Sequence, residues 1–394
     1  MQILYGFSNC TDSTYNRIVA EKKVAILQPD QKYHGLLIKG LAENGASVTC
    51  FSGLPVNRAV TRRLLVHEKN EVENGVRYRY FTTLNLPLFR QAGIFLASFF
   101  SVLFFRKRKQ KTAAICDCLN IANAFGMTLA CKLRRIPMVT IVTDLPDMMD
   151  GGKILRGFNN KLFGLVDGFL LLTEQMNDRV NKKGKPHIVL EGQVNGKDLP
   201  TPADENIEKA TGKRVILYAG SVCKLYGIEQ LVKGFLAAKL ENAELHIYGD
   251  GDFRDELERL SSENTSVKYF GVRKNSEIVE EEHRVSLLVN PRPTAPEYTK
   301  YSFPSKNMEY MVSGTPLLTT NLPGMPKEYH PHVYLIEDDS ENGIKEALQK
   351  VFSHPLDERI EKGKSARDFV LANKTNTMQA KKLLDFIGKE IPGR

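Results

Sequence analysis

Residues 301–316 read YSFPSKNMEYMVSGTP and hold the densest set of groups able to do chemistry. Pro304 and Ser305 suit a helix start and Gly314 a C-terminal cap, so the spacing predicts a helix of about two turns. Lys306 then falls in the first turn, where a cation works against the helix dipole. That placement makes sense if a phosphate occupies the helix N-terminus and Lys306 reaches it. Glu309 lies one turn on and could accept hydrogen bonds from a ribose. A surface Lys and Glu on a short helix is the plainer alternative. Three other loops carry glycine where a strand pattern gives way to a helical one: Gly220-Ser221-Val222-Cys223-Lys224, Gly249-Asp250-Gly251-Asp252 and Gly271-Val272-Arg273. Glycine lets a backbone approach a ligand, and helix N-termini favour anions. Each loop alone is an ordinary turn. Together they point to a phosphate-bearing ligand.

Metal chemistry finds little support. Cys116-Asp117-Cys118 has no second cysteine pair nearby and reads as alternate residues of a strand. His330-Pro331-His332 lacks a third ligand at a readable spacing and reads as a surface loop. No metal site is expected. The 6 cysteines are scattered, unlike a disulfide framework. The N-terminus shows no signal-peptide pattern, so a reducing cytoplasm is the expected compartment.

The elements that must carry these loops alternate strand and helix throughout. In the first half, strand patterns cover residues 3–7, 48–52, 76–81, 113–118, 138–143, 168–173 and 187–190. In the second they cover 215–219, 244–248, 267–270, 286–289, 316–319 and 333–336. Helical patterns intervene. One covers residues 35–43 and stops at Asn44-Gly45; another places Ile228, Leu231, Val232, Phe235 and Leu236 on one face. Such alternation implies parallel sheets covered by helices on both faces. Two sets imply two doubly wound α/β domains, with ligands beyond the carboxyl ends of the strands. The expected division is residues 1–192, residues 193–372, and a C-terminal helix at 373–394 that packs back on the first domain. Facing domains of this kind would form a cleft.

The chain has 394 residues with 55 Lys+Arg, 46 Asp+Glu and a formal charge of +9. Residues 1–190 hold 27 basic and 14 acidic residues, hence +13; the remaining 28 and 32 give −4. No nucleic-acid recognition motif accompanies the basic half, so nucleic acid is not an expected partner. Residues 92–105 read AGIFLASFFSVLFF, followed at once by Arg106-Lys107-Arg108-Lys109-Gln110-Lys111. The run is too short to span a bilayer, which needs roughly 20 residues. The abrupt basic cluster favours a helix resting on an anionic membrane surface over a buried core helix.

At four blocks the sequence resembles family 4 retaining glycosyltransferases of the GT-B fold: YAGSVCKLYGIEQLVKGF at 218–235, HIYGDGD at 246–252, YFGV at 269–272, and YSFPSKNMEYMVSGTPLLTT at 301–320. The last block resembles the PSK-containing bacterial subset, in which a lysine stands where Lys306 does. The resemblance covers nearly the whole chain and implies two Rossmann-like domains across a cleft. The second domain would hold a nucleotide diphosphate sugar, a UDP-sugar being favoured, as substrate rather than cofactor.

The carry-over is uneven. Glu309 matches the second of two family glutamates, the one at the ribose, but the first position is Tyr301. The residues that usually grip the diphosphate are replaced by Ser221 and Tyr226. Lys224, Lys306, Arg273 or Arg292 could supply the lost charge, with Lys306 foremost. Donor contacts would then involve Gly220, Ser221, Lys224, Gly249, Gly271, Val272, Arg273, Arg292, Ser305, Lys306 and Glu309. In the first half, Thr143-Asp144-Leu145-Pro146-Asp147 stands where the family often has a His-Asp pair near the transferred sugar. Asp144 keeps the second position; Asp144 or Asp147 could contact the sugar, or the run is a turn. Gln31, Lys32, Tyr33 and His34 precede the first long helix, where the family shapes its acceptor pocket. The expected catalytic set is Asp144, His34 and Lys306.

The resemblance implies metal-independent transfer with retention, to a lipid-linked or polysaccharide acceptor, in cell-surface glycan synthesis. The enzyme would be peripheral on the cytoplasmic face of the membrane, held through residues 92–111. The alternatives are a GT-B sugar-nucleotide epimerase, which would need acid/base carboxylates, and a non-catalytic nucleotide-sugar-binding subunit.

Overall fold

Two sheets organise the chain in a computed structural model that describes residues 1–22, 28–56, 61–106, 110–148, 152–197 and 206–391. The chain divides into two compact units: Met1–Gln193 with Asn376–Arg394, and Val194–Thr375. Every strand expected from the sequence is present, with ends shifted by a residue or two.

The first unit runs β1 (Gln2–Gly6), α1 (Asp12–Lys22), α2 (Gln28–Glu43), β2 (Ser47–Ser52), β3 (Leu65–Val66), β4 (Glu71–Glu73), β5 (Val76–Tyr80), β6 (Thr83–Leu84), α3 (Pro87–Leu103), β7 (Thr112–Asp117), α4 (Ile121–Arg134), β8 (Met138–Val142), α5 (Gly152–Leu165), β9 (Gly168–Leu171), α6 (Gln175–Val180) and β10 (His187–Val189). Its sheet has the order β10-β9-β8-β7-β1-β2-β5-β4. All neighbours are parallel except β4, which pairs antiparallel with β5. β3 and β6 form a separate antiparallel ribbon. β1, β7, β8 and β9 are buried along their whole length, as parallel strands covered on both faces must be.

The second unit runs α7 (Ile207–Thr211), β11 (Arg214–Ala219), α8 (Ile228–Ala238), β12 (Ala243–Tyr248), α9 (Arg254–Glu263), β13 (Val267–Gly271), α10 (Asn275–Glu282), β14 (Leu287–Asn290), α11 (Ser305–Ser313), β15 (Leu317–Thr320), β16 (Tyr334–Ile336), α12 (Glu341–Ser353) and α13 (Leu356–Asn373). Its sheet order is β13-β12-β11-β14-β15-β16, all parallel. The expected apolar face of α8 is buried: Ile228, Leu231, Val232 and Phe235 join the core. The final helix α14 (Asn376–Lys389) belongs to the first unit. There it packs on α2, with the Gly40 Cα against the Asn376 carbonyl, and Leu383 and Ile387 enter the core.

Three expectations need correction. The first long helix begins at Gln28, not Gly35, so Gln31–His34 lie inside α2 rather than before it. β3, β4 and β6 were not expected; they are too short, and β4 too acidic, to leave a periodic pattern. His330 and His332 lie in a 3₁₀ turn, Lys327–His332, with His332 bonded to Ser365 rather than free in a surface loop.

The apolar segment forms α3. Ile94, Ser98 and Val102 are buried against α4, where Gly126 permits the contact: a Cβ there would stand 2.2 Å from Ser98 Oγ and 2.4 Å from the Phe95 carbonyl oxygen. The opposite side of α3 exposes Leu88, Phe89, Leu96, Phe100 and Phe104. Of the basic cluster that follows, Lys107, Arg108 and Lys109 lie outside the described residues. Arg106 is exposed, but Lys111 donates to the Ile387 and Gly388 carbonyls at 3.1 and 3.0 Å and so caps the end of α14. No helix among the described residues is long and apolar enough to cross a membrane.

In the second unit a buried ion pair joins α13 to α7. Arg359, 2% exposed, donates two hydrogen bonds to Glu208 at 2.7 and 2.8 Å. Burial alone would raise the Glu208 carboxyl; the bonding and charge of Arg359 bring it below its ordinary pKa. Removing Arg359 leaves the Glu208 carboxylate only the longer contact with Arg214, at 3.4 Å, and so largely uncompensated. Arg359→Ala is therefore expected to lower the stability of this unit by about 3–5 kcal/mol. The chain has no tryptophan, so urea unfolding followed by circular dichroism is the measurement. A loss below about 1 kcal/mol would show the pair to be solvated.

Candidate functional site

The order of the second sheet reverses between β11 and β14, and in such sheets ligands sit at the carboxyl ends of the strands flanking the reversal. Gly220 and Ser221 follow β11 there, Gly249 follows β12, and Gly271 ends β13 with Val272 and Arg273 beyond it. Arg292 follows β14, and Ser305, Lys306 and Glu309 lie on α11. The donor candidates are thus brought to one edge of one sheet, although they span some ninety residues of sequence.

Backbone contacts fix the loops against one another. Gly220 donates to the Tyr248 carbonyl at 3.1 Å, Val222 to Asp250 at 2.9 Å, and Gly249 to Gly271 at 2.9 Å. Gly249 has φ +128°, and a Cβ on it would stand 1.8 Å from the Gly220 carbonyl oxygen. Only glycine can occupy that crossing. Lys224 opens a short 3₁₀ turn; its backbone amide donates to Asp252 Oδ1 at 3.0 Å, and its exposed side chain stands 3.9 Å from Glu229.

α11 starts at Ser305 and stops at Gly314 with φ 81°, as the sequence predicts. Its position is set by buried polar groups. The Tyr310 hydroxyl, fully buried, accepts from the Ala219 amide at 2.8 Å and donates to the Ala219 carbonyl at 3.1 Å. Asn290 at the end of β14 donates to Asn307 at 2.6 Å, and Asn307 donates to Thr319 of β15 at 3.1 Å. α11 is thereby tied to the ends of three adjacent strands.

Lys306 does not present a free charge. Its Nζ lies 3.1 Å from Glu282 and 3.1 Å from Glu309. Burial works against its ammonium form, but the two carboxylates outweigh it and raise its pKa. Two negative charges therefore meet one positive at the start of α11. Arg292 is placed differently. Its guanidinium stacks 4.7 Å from the centre of the Tyr226 ring, and its buried Nε–H has no partner among the described residues. The Tyr298 and Ser302 hydroxyls on the same segment are also buried without partners. Buried polar groups are normally satisfied, so this grouping marks a place shaped for a polar ligand. Tyr298 and Ser302 were not singled out in the sequence, because neither hydroxyl stands at a diagnostic spacing.

The first sheet reverses between β1 and β7. Ser8, after β1, donates to Asn120, after β7, at 2.5 Å, and Gln31 of α2 donates to the Ser8 carbonyl at 2.5 Å. His34 is 1% exposed. Its Nδ1 is bonded to the Tyr5 hydroxyl at 2.7 Å and its Nε2 to Asp117 at 3.1 Å, and its ring stacks on Phe7 at 3.6 Å. Both ring nitrogens are occupied within the unit, so His34 orders the core end of α2 and is not presented to a ligand. Tyr33 donates to the Leu190 carbonyl at 3.4 Å and serves the same packing; Lys32 is exposed. Asp144 is exposed after β8, while Asp147 pairs with Arg179 at 2.5 Å.

Two carboxylates missing from the sequence reading belong here. Asp117 closes β7 at the reversal, and Asp30 lies in the first turn of α2. Burial raises the Asp30 pKa, and Asp117 and Asp144 raise it further while His34 opposes them. The strand pattern over residues 113–118 includes Asp117, but no local spacing marks its carboxylate as the one at the strand end. Among the described residues no group of three or more His, Cys, Asp or Glu is placed to hold a metal ion.

Comparison with known proteins follows this geometry. Residues 201–369 match the family model described as Glycosyl transferases group 1. No curated protein matches the sequence. Among solved structures, HepE from Anabaena in complex with UDP aligns with TM-score 0.65 at 12% identity, over 98% of this chain and 100% of that one. The E. coli trehalose-6-phosphate structure bound with UDP-2-fluoro glucose aligns with TM-score 0.64 at 10% identity, over 100% of both chains. The lipopolysaccharide outer core galactosyltransferase WaaB aligns with TM-score 0.62 at 15% identity, over 98% and 99%.

The close approach at Gly249 gives a paired test. Gly249→Ala is expected to destabilise the second unit by about 3 kcal/mol or more, from overpacking added to a strained φ. Gly271→Ala has φ +66° but nothing within 4 Å of its Cβ, so about 1–2 kcal/mol is expected. Equal losses in chemical denaturation would show that backbone conformation, not the crossing, is what Gly249 supplies. The fold is GT-B, and residues 201–369 of its second unit match the glycosyl transferases group 1 model.

Proposed function

We propose that the protein is a retaining, metal-independent glycosyltransferase that moves a sugar from a nucleotide diphosphate sugar to a lipid-linked or polysaccharide acceptor. The observation that carries this reading is the set of unpartnered buried groups Arg292 Nε, Tyr298 Oη and Ser302 Oγ beside the sheet reversal and the start of α11. A UDP-sugar is favoured because HepE is solved with UDP and the E. coli neighbour with UDP-2-fluoro glucose.

In the reaction the bond from the anomeric carbon to the diphosphate oxygen breaks, and negative charge grows on the leaving diphosphate. Arg292, the backbone amide of Ser221 and the N-terminus of α11 are the groups offered to that charge. Arg292 over Tyr226 takes the place of the lysine that the family carries at position 226. Lys306, neutralised by Glu282 and Glu309, acts by holding Glu309 toward the ribose more than as the main diphosphate cation. Transfer to the same face of the sugar needs no separate protein nucleophile; the leaving phosphate accepts the acceptor's proton. Asp144 is the first-unit carboxylate assigned to the transferred sugar, and Gln31 and Lys32 are assigned to the acceptor side. The lipid-linked acceptor places the chain on the cytoplasmic face of the cell membrane, in cell-surface glycan synthesis.

Calorimetric titration with UDP tests the donor site. Arg292→Ala and Glu309→Ala are each expected to weaken binding tenfold or more, about 1.4 kcal/mol or greater, while EDTA leaves binding and transfer unchanged. Wild-type affinity in both variants would remove the donor assignment.

The membrane surface is tested separately. The exposed row Leu88, Phe89, Leu96, Phe100 and Phe104 is expected to carry the chain with anionic liposomes in flotation. Phe100→Asp with Phe104→Asp should abolish co-flotation at unchanged thermal stability. Flotation indifferent to those changes would refute the membrane assignment of α3.

A further inference from the structure

The first unit holds a cavity of about 400 Å³ between α5 and α6, bordered by Pro146 and Asp147 after β8. That volume lies within the range of small-molecule sites. Its lining includes Asp147, Arg156, Asn159, Phe163, Arg179 and Lys183. Among the described residues that line it, four are cations when Lys182 is counted, against the single carboxylate of Asp147. Asp147 is already engaged by Arg179 at 2.5 Å. Neither Arg156 nor Lys183 meets a carboxylate within 4.0 Å among the described residues. The cavity therefore carries uncompensated positive charge in a concave site, where field lines concentrate and an anion is drawn in.

A second observation comes from Asn159. It is 3% exposed, and its Oδ1 is buried without a hydrogen-bond partner among the described residues. A buried carbonyl oxygen in that state calls for a donor such as a hydroxyl. The site thus combines cations for an anionic group, an orphaned acceptor for a hydroxyl, and the Phe163 ring as an apolar wall. Inorganic phosphate would satisfy only the first. Among the groups assigned above to donor, acceptor and transferred sugar, none lines this cavity; Asp147 was the alternative to Asp144.

We propose that this cavity binds a phosphate ester of a polyol, with Arg156 and Lys183 on the phosphate and Asn159 Oδ1 accepting from a hydroxyl of the polyol. The same chemistry is available from a soluble sugar phosphate or from an inositol phospholipid headgroup. The experiment is calorimetric titration of the full chain with glucose 6-phosphate, glucose and inorganic phosphate, together with flotation on phosphatidylinositol vesicles of the chain carrying Phe100→Asp and Phe104→Asp, which removes the α3 contribution. Glucose 6-phosphate is expected to bind at least tenfold more tightly than glucose or inorganic phosphate. Arg156→Gln with Lys183→Gln should weaken it tenfold or more, and Asn159→Ala severalfold. Both cations are exposed, so the double variant should keep its thermal unfolding midpoint; if it does not, either single variant serves in its place. Vesicle binding lost in the double variant, with no binding of glucose 6-phosphate, would assign the lipid source; the reverse would assign the soluble one. No binding of either probe, or binding unchanged in the double variant, would overturn the proposal. Inorganic phosphate binding as tightly as glucose 6-phosphate would overturn its polyol part.

Discussion

The second unit depends on one constraint: α11 must hold its N-terminus at the sheet reversal while buried on its other side. Nine residues of helix have little stability of their own. The Tyr310 hydroxyl bonded to both backbone groups of Ala219, and the Asn290–Asn307–Thr319 chain, supply the fixing that helix propensity cannot. These bonds are buried, so each is costly to leave half-made. The loops that α11 faces are fixed in turn by backbone-to-backbone bonds, and the crossing at Gly249 leaves no room for a side chain. A site built this way is rigid before any ligand arrives, which suits electrostatic stabilisation of a leaving group.

Charge is handled locally rather than by the net balance. The half of the chain with −4 carries the donor candidates, and within it Lys306 is countered twice while Arg292 keeps an unpartnered Nε–H. The half with +13 spends part of its excess on structure. Lys111 caps α14, Lys185 donates to three carbonyls at the end of α5, and Arg134 caps α3. Among the described residues, Arg156 and Lys183 at the α5–α6 cavity meet no carboxylate. A count of lysines and arginines therefore overstates the charge available to any partner.

Much of the fold could be read in advance because parallel strands leave a strong record. Continuous apolar runs such as MVTIV and RVILYA, each followed by a turn and an amphipathic helix, admit few other arrangements. The same holds for α11, whose two ends are set by Pro304 and Gly314. The strands β3, β4 and β6 escaped notice because two or three residues carry no period. The start of α2 was misplaced because its first turns are polar and hold no apolar stripe. For the candidate site, the positions of Gly220, Gly249 and Gly271 were readable from the loops, whereas the role of His34 was not. A histidine in sequence carries no sign of whether its neighbours will be solvent or Tyr5 and Asp117.

The sequence by itself determined two α/β units, the strand-end loops and a short helix with a lysine in its first turn, since all of these follow from local pattern. Only the tertiary structure decided what each polar group meets. It paired Lys306 with Glu282 and buried His34 against Phe7. It also left Arg292, Tyr298, Ser302 and Asn159 with unfilled hydrogen-bonding capacity. The reason is physical: local pattern is set by neighbours in sequence. Desolvation and pairing are set by groups from distant strands, which no local spacing records.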